Sequence, residues 1–245
     1  MEGALIRARE TEAVLSIHAF RYAIALASAA LLAACGGGGG GGDGDTSALT
    51  ATGIEFLDGN IRLESFTGLC EIDNVGPLLV GEDEFSAQKF ITYWAFVTFD
   101  LSALPADADV RSATANIRMA SATGNNIFGG GLFGNVVMEH IDIGPFLDES
   151  DMLAPPLGGE LVGGDASPEF LATSSALGFK QAEIATEVRR DLLAGRTRTT
   201  LRIRFQVVEQ TDGDLALDLV EFNGFDPDEP GNEATRPFLE IRFRE

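Results

Sequence analysis

Leu201-Arg202-Ile203-Arg204-Phe205-Gln206-Val207 is the stretch that decides the fold. Its odd positions are all apolar and its even ones all polar, the period of two that an extended strand sorts onto opposite faces. One face is therefore expected against a core and the other in water. Working outward, Trp94-Ala95-Phe96-Val97-Thr98-Phe99 is apolar on both faces, as a central strand would be. Ala113, Ala115, Ile117 and Met119 alternate with Ser112, Thr114, Asn116 and Arg118, and Val137, Glu139, Ile141 and Ile143 oppose Val136, Met138, His140 and Asp142. Leu215, Leu217 and Leu219 follow Thr211-Asp212-Gly213-Asp214, whose Asp-Gly pair signals a hairpin. In the last strand Leu239, Ile241 and Phe243 are set inward against Glu240, Arg242 and Glu245. Many short strands separated by turn residues predict an all-β fold, an antiparallel sandwich or barrel.

One short helix is expected within Glu183 to Gly195. Ile184, Val188 and Leu192 recur every fourth residue, Leu193 widens the stripe, and Gly195 suits a helix stop. Such a helix would pack across one end of the sandwich. Gly144 to Phe179, rich in Pro, Gly and Ser, reads as a long surface excursion.

The N-terminal region has a different character. Arg21 precedes thirteen small or apolar residues, Tyr22 to Ala34, ending Leu31-Leu32-Ala33-Ala34 before Cys35. A hydrocarbon core of about 30 Å needs a longer helix, so this is a secretory leader rather than a membrane span. Leu-Ala-Ala-Cys resembles the lipobox of bacterial lipoproteins, which implies removal of residues 1–34 and lipid attachment at Cys35. An ordinary secreted protein whose leader ends near a cysteine is the alternative. Residues 35–46 then form a lipidated cysteine and a glycine-rich tether, since Gly36 to Asp45 can bury nothing; ten such residues span roughly 15–20 Å. Residues 47–245 make a single β-sandwich domain.

The net charge is −21, and the leader's three Arg and three Glu cancel, so the mature chain keeps all of it. Such acidity excludes nucleic acid as a partner, because a phosphate backbone demands a basic face. It also disfavours adhesion to anionic lipid, leaving the acyl chains to hold the membrane. With Cys35 acylated, Cys70 has no cysteine to pair with; in Phe66-Thr67-Gly68-Leu69-Cys70 it reads as a small apolar residue rather than a reactive thiol.

Several segments together resemble the DNRLRE-domain family of bacterial modules, grouped with carbohydrate-binding β-sandwiches. Gly76-Pro77-Leu78-Leu79-Val80-Gly81 looks like its early strand, Phe99-Asp100-Leu101-Ser102-Ala103-Leu104-Pro105 like its strand-plus-turn, and Ser112 to Ile117 like the strand that follows. Glu183 to Gly195 is similar to its helix, and Arg236-Pro237-Phe238-Leu239-Glu240-Ile241 to its closing strand. The likeness covers about residues 50–245. It implies a jelly-roll-like antiparallel sandwich displayed outside the cytoplasm, periplasmic or cell-surface facing, with a glycan as the expected ligand. Of the mature chain's Trp94 and Tyr93, Trp94 lies in the most apolar segment and is expected in the core rather than as a sugar platform.

Catalysis has little to build on. His140 is the mature chain's single histidine, mid-strand, and reads as a structural hydrogen-bonding residue. A Ser-His-Asp or Cys-His site would have to include it. Zinc-type sites want several His or Cys. A polysaccharide hydrolase would need two carboxylates in an aromatic-lined cleft, so a non-enzymatic module is expected. The oxygen-rich stretch Asp226, Asp228, Glu229 and Asn232, with Asp148-Glu149-Ser150-Asp151 as a second, suits Ca²⁺, although neither has EF-hand spacing. The other function class is a protein-adhesion or structural surface subunit, marked by an exposed apolar patch such as Phe128 and Phe133 would give.

Overall fold

The computed structural model describes residues 46–245 apart from residues 87, 125–126, 129–130, 132, 167, 208–213 and 226–231. The alternating segments become strands: β1 (Ser47–Thr52), β2 (Gly59–Glu64), β3 (Cys70–Asp73), β4 (Leu78–Ser86), β5 (Lys89–Asp100), β6 (Asp109–Thr123), β7 (Val136–Ile141), β8 (Phe170–Ala172), β9 (Gly178–Glu183), β10 (Arg198–Phe205), β11 (Leu217–Phe222) and β12 (Phe238–Arg244). Among the described residues the single α-helix is α1 (Ala185–Leu193), joined by 3-10 turns at Glu149–Leu153 and Asn232–Thr235. Every strand pair is antiparallel, in the order β1-β12-β6-β11-β4-β5-β10-β7-β8, with β2 between β5 and β3 and with β9 beside β6. The fold is all-β and sandwich-like.

The two longest strands serve as corners. Along one edge of β6, Asp109–Asn116 pair with β12 and Met119–Thr123 with β11, and both ladders shift register. Along one edge of β5, Ala95–Asp100 pair with β10 and Lys89–Tyr93 with β4. A strand that changes partners through a bulge or bend is how sheets are joined at a corner. The end of β5 is stopped by an Asx turn in which Ser102 N donates to Asp100 Oδ1 (2.8 Å), while Leu101 and Leu104 are buried at the end of the core.

The main core holds the predicted inward positions: Ala113, Ala115, Ile117 and Met119 of β6, Leu201 and Ile203 of β10, and Leu239, Ile241 and Phe243 of β12. Strand β5 is buried on both sides, as its composition predicts. Ala95, Val97 and Phe99 enter the main core, while Phe96 enters a second cluster with Leu57, Ile61, Ile141, Ile143, Leu147 and Met152. Each fully buried Val, Leu, Ile, Phe or Met side chain among these contributes about 1.5–3 kcal/mol.

That second cluster refines two expectations. Residues 144–157 run over the surface, most of them exposed, but Leu147 and Met152 are inserted into the cluster and anchor the segment there. The Glu149–Leu153 turn is closed by a capping box in which Asp148 accepts from Ser150 N and Asp151 from Asp148 N. The polar face of β10 is accordingly dry: Thr200 and Arg202 are buried. Arg202 ion-pairs with Glu139 at 2.6 Å and donates through Nη1 to the carbonyls of Asp151 (3.0 Å) and Met152 (2.7 Å). It satisfies the backbone of the segment that covers it, which is why a polar position can be buried here.

Two further readings are corrected. β11 pairs with β4 and β6, not with β10, so no hairpin joins β10 to β11. Its inward residues are Asp218, Val220 and Phe222, whereas Leu215 and Leu217 are exposed. Asp212 and Gly213 themselves lie outside the described residues. In α1 the buried stripe is Ile184, Ala185 and Val188, with Leu192 packed against it, and Leu193 is 89% exposed. At about 100° per residue Leu193 falls about 180° from Ile184, while Asp191 falls within about 20° of it. Asp191, not Leu193, is the buried residue. Gly195 does end the helix with φ of 72°, and Glu183 belongs to β9.

Arg202→Ala leaves Glu139 and two carbonyls short of a partner, and removal of one member of a buried pair costs about 3–5 kcal/mol. Thermal unfolding should show Tm lower by on the order of 10 °C. Asp58 is buried and accepts from Thr98 N at 2.6 Å. Burial pushes its carboxyl well above the ordinary range, against the opposing pull of the Thr98 hydrogen bond. The folded chain thus holds a proton that the unfolded chain releases near pH ~3.9, so this group's contribution declines as pH rises from there. Asp58→Asn keeps the acceptor and removes the decline. Its Tm relative to the parent should increase as pH rises above about 4; a difference that does not vary with pH would contradict the assignment.

Candidate functional site

The outer surface of the β3-β2-β5-β4 region carries a groove of about 450 Å³ lined by Asn60, Arg62, Glu71, Ile72, Asp73, Leu79 and Tyr93. Register builds it. Arg62 stands opposite Glu71 on β3 and opposite Tyr93 on β5, so the three side chains form one row across three strands. The next residue in that row, on β4, is Gly81. Its φ is 136°, and a Cβ there would run into the Asp218 carbonyl. Glycine is thus required by the backbone, and nothing projects from β4 beside the Tyr93 ring.

The wall of the groove is ordered by polar ties. Arg62 pairs with Glu71, both partly exposed, so the pair adds little stability but fixes the guanidinium. Asn60 is buried and spent on the backbone, donating to Pro77 O (2.7 Å) and accepting from Leu79 N (2.5 Å). Asp73 accepts from Val75 N at 3.1 Å. Burial, reinforced by the negative charge of Asp83, raises the Tyr93 hydroxyl above its ordinary pKa, so it remains a neutral phenol at neutral pH. What the groove offers is one half-exposed ring flanked by donors and acceptors, with Glu71 and Asp73 against the single cation Arg62.

Trp94, next to Tyr93, points to the other side of β5. It packs against the second cluster, half-buried, with the Arg202 guanidinium 5.0 Å from its ring centre. It is occupied by a cation–π contact and is no open platform. His140 is buried in β7, its Nε2 2.8 Å from Asp191 Oδ2, and Asp191 Oδ1 accepts from Arg196 at 3.1 Å. Among the described residues Nδ1 has no hydrogen-bond partner, so none of them places a nucleophile on the ring. Cys70 is half-buried against the second cluster, and burial, then the Glu149 charge, pushes its thiol pKa up. That makes it a poorer nucleophile at neutral pH.

Phe128 and Phe133 fold back, their rings 6.0 Å and 5.3 Å from that of Phe205, so they form no exposed patch. The oxygens of Asp148 and Asp151 are engaged in capping, and Asp151 is buried. Asp226, Asp228 and Glu229 lie outside the described residues, as does the Asn232 side chain, although Asn232 begins a 3-10 turn. Cys35 is outside them too. Among the described residues no three His, Cys, Asp or Glu side chains converge as a metal site would require, and no helix is long and apolar enough to cross a membrane.

Sequence reasoning passed over Arg62, Glu71 and the groove. A signal was present: Asn60, Arg62 and Glu64 alternate with Ile61 and Leu63. What it lacked was the register that sets Tyr93 beside them. No protein-family model matches the chain, and no curated protein is similar to it in sequence.

Proposed function

We propose that this chain is a lipid-anchored, extracytoplasmic and non-enzymatic binding module of the bacterial cell envelope, and that its ligand is a glycan held in the Tyr93 groove. The observation that carries the reading is the half-exposed Tyr93 ring beside Arg62 on an open sheet face, with Glu71 and Asp73 on the strand beyond. A sugar presents an apolar C–H face to an aromatic ring and hydroxyls to charged neighbours, and a groove of about 450 Å³ is within the range that small ligands occupy. Two acids against one arginine favour a neutral glycan over an anionic one. The leader and Cys35 support the anchor, and the F-D-L-S-A-L-P and R-P-F-L-E-I segments support kinship with DNRLRE-domain proteins. The burial of His140, only 1% exposed in mid-strand, supports a non-enzymatic role. Calcium held by Asp226, Asp228, Glu229 and Asn232 belongs to the same reading and rests on their oxygen-rich side chains.

A protein-adhesion role has separate support. Phe66, Leu69, Phe85, Leu215 and Leu217 are all exposed at one end of the sheet. There the β2–β3 turn meets β5 (Ser65 N to Phe90 O, 2.9 Å) and the start of β11 meets β4 (Glu84 N to Ala216 O, 3.4 Å).

A glycan array probed with the purified full chain tests the leading reading. Tyr93→Ala should weaken binding about tenfold or more, while Tyr93→Phe, which keeps the ring, should retain most of it. Silence across the array with a folded protein would transfer the case to adhesion. EDTA should lower Tm if calcium is bound, through loss of ligand linkage; an unchanged melting curve would remove calcium from the reading.

A further inference from the structure

A second concave surface lies where α1 meets β7 and residues 157–164. It has a volume of about 290 Å³, and its wall includes His140, Glu160, Glu183, Thr186, Glu187 and Arg190. The 157–164 segment is tied to the β7 backbone by Leu157 N to His140 O (2.6 Å) and Val162 N to Met138 O (3.0 Å). It doubles back through Gly158, Gly159, Gly163 and Gly164, all at positive φ. Arg190 donates to Leu157 O at 2.5 Å and so braces this rim from the helix.

The polar groups of the recess are unequally engaged. Glu183 accepts from Ala113 N (2.8 Å) and Thr114 Oγ1 (3.2 Å). His140 has committed Nε2 to Asp191. Glu187 is 6% exposed, lines the recess, and has no hydrogen-bond or ion-pair partner among the described residues. A buried carboxylate without a partner carries a desolvation cost that is ordinarily offset by a cation or by donors. Its own fold supplies only the N-terminal dipole of α1, in whose first turn it lies, and the space beside it is open to a counter-ion.

Three carboxylates (Glu160, Glu183, Glu187) face one guanidinium here, so an anion is disfavoured. A chelated metal is disfavoured as well, since no three ligating side chains converge among the described residues. A neutral ligand would leave the Glu187 carboxylate without a counter-ion. We propose that this recess binds a primary ammonium group, with Glu187 as its principal partner and Glu160 at the rim. An ammonium can turn its three donors to a single carboxylate in any orientation, whereas a guanidinium needs a carboxylate set in the plane of its fork. The ammonium could be supplied by a free amine or by a lysine side chain of another protein, and the chemistry at Glu187 is the same.

Calorimetric titration of the full chain with putrescine and with N-acetyl-lysine amide separates the two sources. 1,4-Butanediol and N-acetyl-norleucine amide serve as uncharged counterparts. At least one ammonium compound should bind, its counterpart should not, and Glu187→Gln should reduce the affinity about tenfold or more while leaving the circular dichroism spectrum intact. If Glu187→Gln does not fold, Glu160→Gln at the exposed rim should weaken binding about threefold. Failure of both amines to bind, equal binding of the uncharged compounds, or affinity unchanged in the variant that folds would each overturn the proposal.

Discussion

The buried guanidinium of Arg202 organises the structure. It lies against the Trp94 ring, pairs with Glu139, and fastens the carbonyls of Asp151 and Met152 to the outer face of β10. Glu139 is also held by Arg204 at 2.7 Å. Burial alone would raise the Glu139 carboxyl, but the Arg204 hydrogen bond and both guanidinium charges outweigh it and bring the pKa below the ordinary value. This contribution is therefore present above the unfolded value of about 4.3 and is lost as pH falls through the folded value. A buried ion cluster gains little over apolar packing of equal volume, yet is expensive to break. Its effect is to give residues 144–157 one seat, and the second apolar cluster closes beneath them.

Period-two patterning was sufficient for β6 and β12, because each faces the main core along an uninterrupted run and its polar positions remain outward or reach local partners. It failed on β10 for a definable reason. Alternation tells which residues share a face, not what covers that face, and the cover comes from a segment about fifty residues upstream. The same limit explains β11. Asp212-Gly213 suggests a sharp reversal, but pairing is settled by which strand is free, and β5 and β7 already occupy both edges of β10. The helix error was of another kind. Angular placement puts Asp191 within the apolar stripe and Leu193 opposite, and a buried aspartate made sense only once His140 was found facing it.

The site was less legible than the fold. Tyr93 and Trp94 are neighbours whose side chains leave β5 on opposite faces, and the sequence draws attention to the tryptophan because it lies in the most apolar segment. The structure assigns Trp94 to Arg202 and leaves Tyr93 beside Arg62 and Gly81, a juxtaposition that depends on four strands being in register. The proposed lipid-attachment cysteine and the proposed calcium ligands Asp226, Asp228, Glu229 and Asn232 are the reverse case. Both readings rest on sequence composition alone, Cys35 and residues 226–231 lying outside the described residues.

The use made of arginine links the acidity to both concave surfaces. Arg189, Arg190 and Arg198 donate to main-chain carbonyls, Arg196 holds Asp191 and Asp142, Arg202 and Arg204 hold Glu139, and Arg62 and Arg236 are paired with Glu71 and Glu55. These cations act as internal ties, and with only Lys89 and Lys180 as lysines, the net charge of −21 is expressed toward solvent. A surface of this kind repels anionic lipid, nucleic acid and acidic polysaccharide alike. What it can gather is neutral or cationic, which is the selection that the proposed roles of Glu71 and Asp73 in the groove and of Glu187 in the recess require. Under the proposed reading the acyl anchor and the acidic surface are complementary: the anchor supplies an attraction to the envelope that the charge would otherwise oppose, and the charge keeps the displayed domain from adhering to the anionic bilayer beneath it.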